Sequence, residues 1–329
     1  MRVYFDTNGD YIASPAARMW FYQMRDNLVA RGIHADLNQL GEEPYDIAII
    51  HWARANVIER VLEHSPKVHV GVLNPGTLGF DFARPQKTSR RIERLDYILN
   101  NTDFFIVTGF VWRDILIPFK KRVYLTIDYD TLDGKAVKHH VRDNNIIIGY
   151  HGSPSHFKEE FFPNGANALK RLAGERDFIL RVITRNAVSQ PTIEGVRTEY
   201  IEFDLSTFSD QIQQFDIGIC PVLSDYTQVT DPLKIIRNPN RVNTLLFYGI
   251  PSVTSPTPQS CHDLQDGETV LFAVTEEGWY QSMRNLIDQP ELRNYIGNNG
   301  RKMVEQKFTD IFATDLFIDM LREEIRYPK

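Results

Sequence analysis

Residues 237–241 read Arg-Asn-Pro-Asn-Arg, and they lead into a short helical run that stops at Gly249-Ile250-Pro251 before an apolar segment opening into Ser, Thr and Pro. The first turn of a helix presents unpaired backbone N–H groups and the positive end of the macrodipole. Arginines beside such an end favour a phosphate, because the guanidinium fork can grip two of its oxygens at once. A Gly just past the helix takes the left-handed conformation that closes it, and the nearby Pro prevents it from resuming. A second cluster, His151-Gly152-Ser153-Pro154-Ser155-His156, follows the apolar run 146–150. Gly152 has no Cβ, so its backbone can approach a ligand closely, and Ser153, Ser155 and the N–H groups of a following helix can donate to a diphosphate. The same letters also describe a plain strand-to-helix turn capped by serine. Arg185 after the run 178–183 and Lys234 before the Arg237 loop add fixed cations, though Lys234 reads equally as a solvated surface lysine. We expect Arg237 and Arg241 on the diphosphate, and Asn240, Asn243 or Thr244 on a hydroxyl of the same ligand.

Short apolar runs alternating with helical stretches must position these loops, which is the pattern of parallel α/β architecture. The expected strands are 3–5, 47–50, 68–73, 104–107 and 123–126 in the first half. In the second half they are 146–150, 178–183, 198–203, 217–221, 251–254 and 270–272. Residues 16–30 repeat Met19, Trp20, Gln23, Met24 and Leu28 at helical spacing, and a last helix near 311–327 carries Phe312, Leu316, Phe317, Met320 and Leu321 on one stripe. The stretch 133–145 is polar and without apolar period, as a connection between domains should be. In open α/β sheets ligands sit beyond the carboxyl ends of the strands, so function is expected in the loops that follow them.

A chain of 329 residues accommodates two domains. Its formal net charge of −6 argues against nonspecific nucleic-acid binding, which needs a basic field. The two cysteines, Cys220 and Cys261, suggest neither a disulfide framework nor a metal site, and Cys220 in FDIGICPV reads as a buried, inert thiol. Met1 leads directly into a strand rather than a basic and then apolar leader, and no apolar run approaches a bilayer span, so a cytoplasmic protein is expected.

Taken in order, these segments resemble GT-B glycosyltransferases of the family-4-like group. Arg237–Arg241, Leu245–Pro251 and Asp266-Gly267-Glu268 are similar to the donor-binding half of those enzymes. The segment IIIGYHGSPSHFKE, residues 146–159, is similar to the first strand and turn of their second domain. Residues 291–300, ELRNYIGNNG, followed by Arg301 and Phe308, are similar to their closing helices. The resemblance implies two doubly wound Rossmann-like domains facing each other across a cleft. Residues 1–135 would bind the acceptor, 136–310 the nucleotide sugar, and a terminal helix, 311–329, would cross back to the first domain. It further implies donor contacts at Gly152, Ser153, His156, Arg185, Lys234, Arg237, Asn240, Arg241 and Thr244. Where the family places a ribose-binding Glu, this chain has Thr244.

In the first half, Asp46–His51 resembles the strand end D-V-V-H-x-H, which makes His51 a catalytic-centre candidate beside the alternative of a core histidine. Asn74 stands where the family often has a second His; it can hydrogen-bond a sugar but cannot transfer a proton. The polar loop 6–10 with Asn8, then Ser14 and Arg18, is a candidate acceptor contact, or simply a turn. Asp128-Tyr129-Asp130 spells the D-x-D of the other major glycosyltransferase fold, but it falls just ahead of the interdomain stretch, and no metal or cofactor is expected. The activity implied is sugar transfer from a nucleotide-diphosphate sugar to an acceptor hydroxyl, retaining and metal-independent. The acceptor is left open among glycan, small molecule, lipid and macromolecule. The alternatives are a GT-B epimerase or hydrolase, and a two-lobed small-ligand-binding protein. The basic clusters Arg90, Arg91, Arg94 and Trp112, Arg113, Lys120, Lys121, Arg122 would serve a peripheral membrane contact or a solvated face.

Overall fold

Runs rich in Val, Ile and Phe with turn residues at both ends form strands that are buried on both faces, as parallel sheets require. The computed structural model describes the chain apart from residues 8, 10–11, 13, 53, 76–88, 130–136, 142–144, 163–164 and 223–235, and apart from the side chains of 15 and 89–94. Among the described residues the first sheet has six strands: β1 (Arg2–Asp6), β2 (His34–Leu37), β3 (Ile47–His51), β4 (His69–Leu73), β5 (Phe104–Val107) and β6 (Arg122–Leu125). They lie in the order β2-β1-β3-β4-β5-β6, every pairing parallel. The second sheet holds β7 (Ile146–His151), β8 (Phe178–Thr184), β9 (Thr198–Glu202), β10 (Ile217–Cys220), β11 (Ser252–Thr254) and β12 (Leu271–Phe272). Its order is β12-β11-β10-β7-β8-β9, again all parallel. Helices connect the strands in each sheet, giving the two Rossmann-like halves expected.

The chain divides into two compact units, Met1–Thr131 with Thr309–Lys329, and Leu132–Phe308. In the first, the segment Pro15–Ala17, Arg18–Gln23, Met24–Ala30 is helical throughout, with a π-helical middle. The wider π turn buries four consecutive residues, Arg18 to Phe21, where an α-helix would turn one of them outward. The indole of Trp20 donates to Asp128 at 2.8 Å, which engages that carboxylate within the fold; Asp130 lies outside the described residues.

The terminal helix Asp310–Glu324 belongs to this first unit. Its start is capped by Thr309, whose side chain accepts from the Phe312 N–H at 3.2 Å. The buried stripe is Ala313, Phe317, Ile318, Met320, Leu321 and Glu324, with Phe317 stacked on Phe5 at 6.0 Å. Phe312, expected on that stripe, is exposed, because it is rotated one residue away from Ala313.

In the second unit, the part of the polar connection that is described, residues 137–141, is tied down. Lys138 N–H donates to the Tyr248 carbonyl at 3.0 Å. Asn294 clamps the His140 backbone from both sides at 2.9 and 2.6 Å, and Arg293 donates to the Val141 carbonyl at 2.7 Å. Cys220 is buried, and burial pushes its thiol up to about 12, so it is inert as expected. Among the described residues no helix is long and apolar enough to cross a membrane.

Candidate functional site

The helix Asn240–Phe247 begins just after Pro239, and the Asn240 side-chain oxygen accepts the Arg241 N–H at 2.7 Å. The helix is closed by Gly249, whose φ of 74° is the left-handed value that only glycine adopts without strain. Leu245 and Leu246 anchor it inside the unit, so the residues at its start are held in fixed places.

From there Arg241 reaches back toward the carboxyl end of β7. One guanidinium nitrogen donates to the Tyr150 hydroxyl at 3.2 Å, and the other to Glu160 Oε2 at 3.1 Å and to the Pro221 carbonyl at 3.2 Å. The side chain is 16% exposed. Arg237 approaches the same carboxylate, 3.5 Å from Glu160 Oε1, and its guanidinium also lies 3.2 Å from His156 Nε2; it is 38% exposed. Its carbonyl accepts from the Thr257 hydroxyl at 2.9 Å, which fixes the loop backbone. The Glu160 side chain is 0% exposed, on the turn that also buries Phe157 and Phe161, whose rings stack at 5.1 Å and meet the tilted Tyr150 ring at 5.0 and 6.1 Å. Burial pushes the Tyr150 pKa upward, so its hydroxyl remains a neutral partner for Arg241.

Gly152 sits against this cluster, with a φ of 154°. A Cβ there would come within 2.9 Å of the Tyr150 hydroxyl and 3.2 Å of an Arg241 guanidinium nitrogen. The glycine is therefore what lets the loop after β7 close over the arginine. Ser153 starts the next helical turn, and its hydroxyl is 2.9 Å from that of Ser155; neither caps the turn through its side chain. His151 points inward, its Nε2 3.0 Å from the Arg241 carbonyl, and burial lowers its pKa to about 4, so it stands neutral.

The structure thus brings Gly152, Ser153, His156, Arg237, Asn240 and Arg241 to the segments after β7 and before the helix Asn240–Phe247. The other candidates stand apart in different ways. The Thr244 hydroxyl donates to the Asn240 carbonyl one turn back at 3.1 Å, which spends its proton inside the helix. Asn243 is buried, with neither its amide oxygen nor its nitrogen hydrogen-bonded. Arg185 follows β8, exposed, with no hydrogen bond or ion pair among the described residues. Lys234 and Asn8 lie outside the described residues.

His51, Asn74, Ser14 and Arg18 belong to the other unit. His51 ends β3, an interior strand rather than a sheet edge, and is buried with its ring 5.2 Å from Phe21 and 5.5 Å from Trp52. Asn74 follows β4 with a φ of 48°, its N–H bonded to the Ile106 carbonyl at 2.9 Å. Ser14 accepts the Arg18 N–H through its carbonyl at 2.9 Å, and the Arg18 side chain is buried.

Two features were not singled out from sequence, one at the arginines and one in the other unit. Glu160 lies three residues after Phe157 and one before Phe161, on the apolar face of its turn, where a carboxylate demands a cation. Trp52, beside His51, is 49% exposed with a φ of 61°, a rare backbone state for a bulky residue that no sequence signal announces.

No protein-family model and no curated protein matches the sequence. Solved structures do match. The chain is similar to sucrose-phosphate synthase from Thermosynechococcus elongatus, at 13% identity and a TM-score of 0.67 over 99% of this chain and 100% of that one. It is similar to HepE from Anabaena, solved with UDP and glucose, at 9% identity and a TM-score of 0.67 over 98% and 100%. It is also similar to a glycosyltransferase from Rickettsia africae, at 9% identity and a TM-score of 0.62 over 100% and 99%. These likenesses establish the two-domain GT-B fold.

Proposed function

We propose that the protein is a glycosyltransferase that takes a nucleotide-diphosphate sugar as donor and passes the sugar to an acceptor hydroxyl. The observation that carries this reading is the pair Arg237 and Arg241 around Gly152, at the carboxyl end of β7 and the start of the helix Asn240–Phe247. In a doubly wound sheet this is where a ligand's phosphates meet backbone N–H groups and fixed cations. A breaking sugar–phosphate bond leaves negative charge on the diphosphate, and preorganised positive groups stabilise that charge as it develops. The structures of the same fold include one solved with UDP and glucose, which supports the choice of donor class.

On this reading the unit Leu132–Phe308 holds the donor, and the unit containing His51, Asn74, Ser14 and Arg18 receives the acceptor. Arg237, Arg185 and the helix start supply the positive charge that a divalent ion supplies elsewhere, so transfer proceeds without a bound metal. Asn74 positions a sugar hydroxyl but cannot act as a base. A retaining course, in which the departing diphosphate itself takes up the acceptor proton, is consistent with that.

The test is to screen nucleotide sugars for a rise in the thermal midpoint and then assay the stabilising donors for release of nucleoside diphosphate and mass gain on candidate acceptors. Donor-dependent release with mass gain, surviving EDTA, is the expected result. Binding without release would make the protein a ligand-binding module, and conversion of the donor alone would make it an epimerase or hydrolase. A loss of turnover with EDTA that manganese or magnesium restores would overturn metal independence.

A further inference from the structure

We propose that Glu160 is an internal competitor of the donor's diphosphate. It holds Arg237 in the empty site, and by reclaiming that arginine it limits how tightly the spent nucleoside diphosphate can bind. The inference rests on the donor reading above and adds a role for a residue that this reading does not use.

The charges make the case. Two guanidinium groups converge on one carboxylate, at 3.1 and 3.5 Å. The three members are not held equally. Glu160 is wholly buried, so its charge stays in place. Arg241 has three acceptors at 3.1–3.2 Å around it and stays as well. Arg237 is the most exposed of the three, and its ion pair with Glu160 is the longest, at 3.5 Å. Its exposure makes it the member that a ligand arriving from solvent can reach.

A carboxylate in this position is costly. It is buried on the same turn as Phe157 and Phe161, where an apolar side chain would carry no desolvation penalty of a buried ion. If its task were only to hold Arg241, it would work with the ligand and its loss would weaken binding. If it competes, its loss removes a negative charge from beside the phosphates and takes one competing partner away from Arg237. Opposite signs are then expected for the two roles, because a like charge nearby disfavours an anion while a well-placed prop favours it. A transferase benefits from such a competitor after the sugar has left. A site lined with cations alone would retain the diphosphate, and product release limits turnover in many enzymes.

The experiment compares wild type with Glu160→Gln, using UDP and inorganic pyrophosphate as probes in calorimetric titration and in thermal melts. Glutamine keeps the shape and one acceptor oxygen but removes the charge. The expected result is a lower melting midpoint without ligand, affinity for both probes raised about tenfold or more, and a larger ligand-induced rise in midpoint than in wild type. Unchanged or weakened affinity in the variant would overturn the proposal and assign Glu160 to propping the arginines. Should the variant lose its cooperative melt without ligand, saturating UDP restores it under this account, because the diphosphate replaces the missing negative charge. Failure of UDP to restore it would count against the proposal. Wild-type binding of either probe combined with no tightening in Glu160→Gln sinks this inference alone. If wild type binds neither probe, nor any other nucleoside diphosphate, the donor reading falls and this inference falls with it.

Discussion

Glu160 and Glu324 are both buried glutamates with arginine partners, yet their partners are arranged differently. Glu324 ends the terminal helix and receives Arg122 through two nitrogens at 2.9 and 2.5 Å, the Tyr124 hydroxyl at 3.0 Å and His69 at 3.1 Å. The ring of Tyr327 lies over the Arg122 guanidinium at 4.0 Å. Both carboxylate oxygens are therefore occupied from several sides, and the donors come from β4 and β6. The cluster fastens the terminal helix to the first sheet. At Glu160 the two arginine contacts are longer, at 3.1 and 3.5 Å, and both arginines come from the one segment 237–241. The same chemical components give a fastening where four contacts from two strands converge on one carboxylate, and at Glu160 a looser arrangement whose second arginine stands 3.5 Å away.

The largest effect should come from breaking the fastening at Glu324. Glu324→Gln leaves the Arg122 charge facing a neutral amide; because Arg122 is 34% exposed and can be hydrated, the loss is that of charge-assisted hydrogen bonds, roughly 1.5–3 kcal/mol. Denaturant unfolding should show that loss, with affinity for UDP in the intact variant unchanged. A stability close to wild type would mean that the terminal helix is held by its apolar stripe alone.

Next comes Gly152→Ala. The added Cβ meets the Tyr150 hydroxyl and the Arg241 guanidinium, in a backbone state that side chains rarely adopt, at a cost of roughly 1–3 kcal/mol. The variant should also bind UDP more weakly, since the arginine must move. A stable variant with normal affinity would show that the loop after β7 stands farther from the ligand than its contacts suggest.

Acid distinguishes the site's own unit. His140 and His151 are both buried there, and burial lowers each from 6.5 to about 4. The folded state keeps them neutral while the unfolded chain takes up protons, so their contribution is complete above pH 6.5 and is lost as pH falls toward 4. Between pH 7 and 5 each should cost about 2 kcal/mol. His151→Gln, whose amide can still donate to the Arg241 carbonyl, should flatten the pH dependence of unfolding by about that amount. An unchanged slope would mean that His151 takes up its proton in the folded state.

Much of this architecture was legible in the residues. Eleven expected strands have counterparts in the two sheets, because near-continuous apolar runs such as 47–50 and 146–150 have few other places to go. The missed strand, β2, spells His-Ala-Asp-Leu at a sheet edge, where one buried alanine is too little pattern to read. Gly249 and Pro251 marked the helix end, and the loop 237–241 marked the arginines. The two buried glutamates were not read, although Glu160 shares a helical face with Phe157 and Phe161, as Glu324 does with Met320 and Leu321. Charged letters in a helical run usually mean solvent, and only the partners reveal the exception. Arg122 is 202 residues away from Glu324 and Arg241 is 81 away from Glu160, distances at which no local pattern operates.

The central claim is that the more exposed arginine of the Glu160 cluster receives the donor's diphosphate, and one comparison tests it most directly. Wild type and Arg237→Ala are titrated with UDP by calorimetry, each first shown to melt cooperatively. Arg237 is partly exposed and its ion pair is long, so its removal should change the melting midpoint little. Loss of a charge-assisted phosphate contact, worth roughly 1.5–3 kcal/mol, should weaken UDP about tenfold or more. Equal affinity in the two folded proteins would contradict the account.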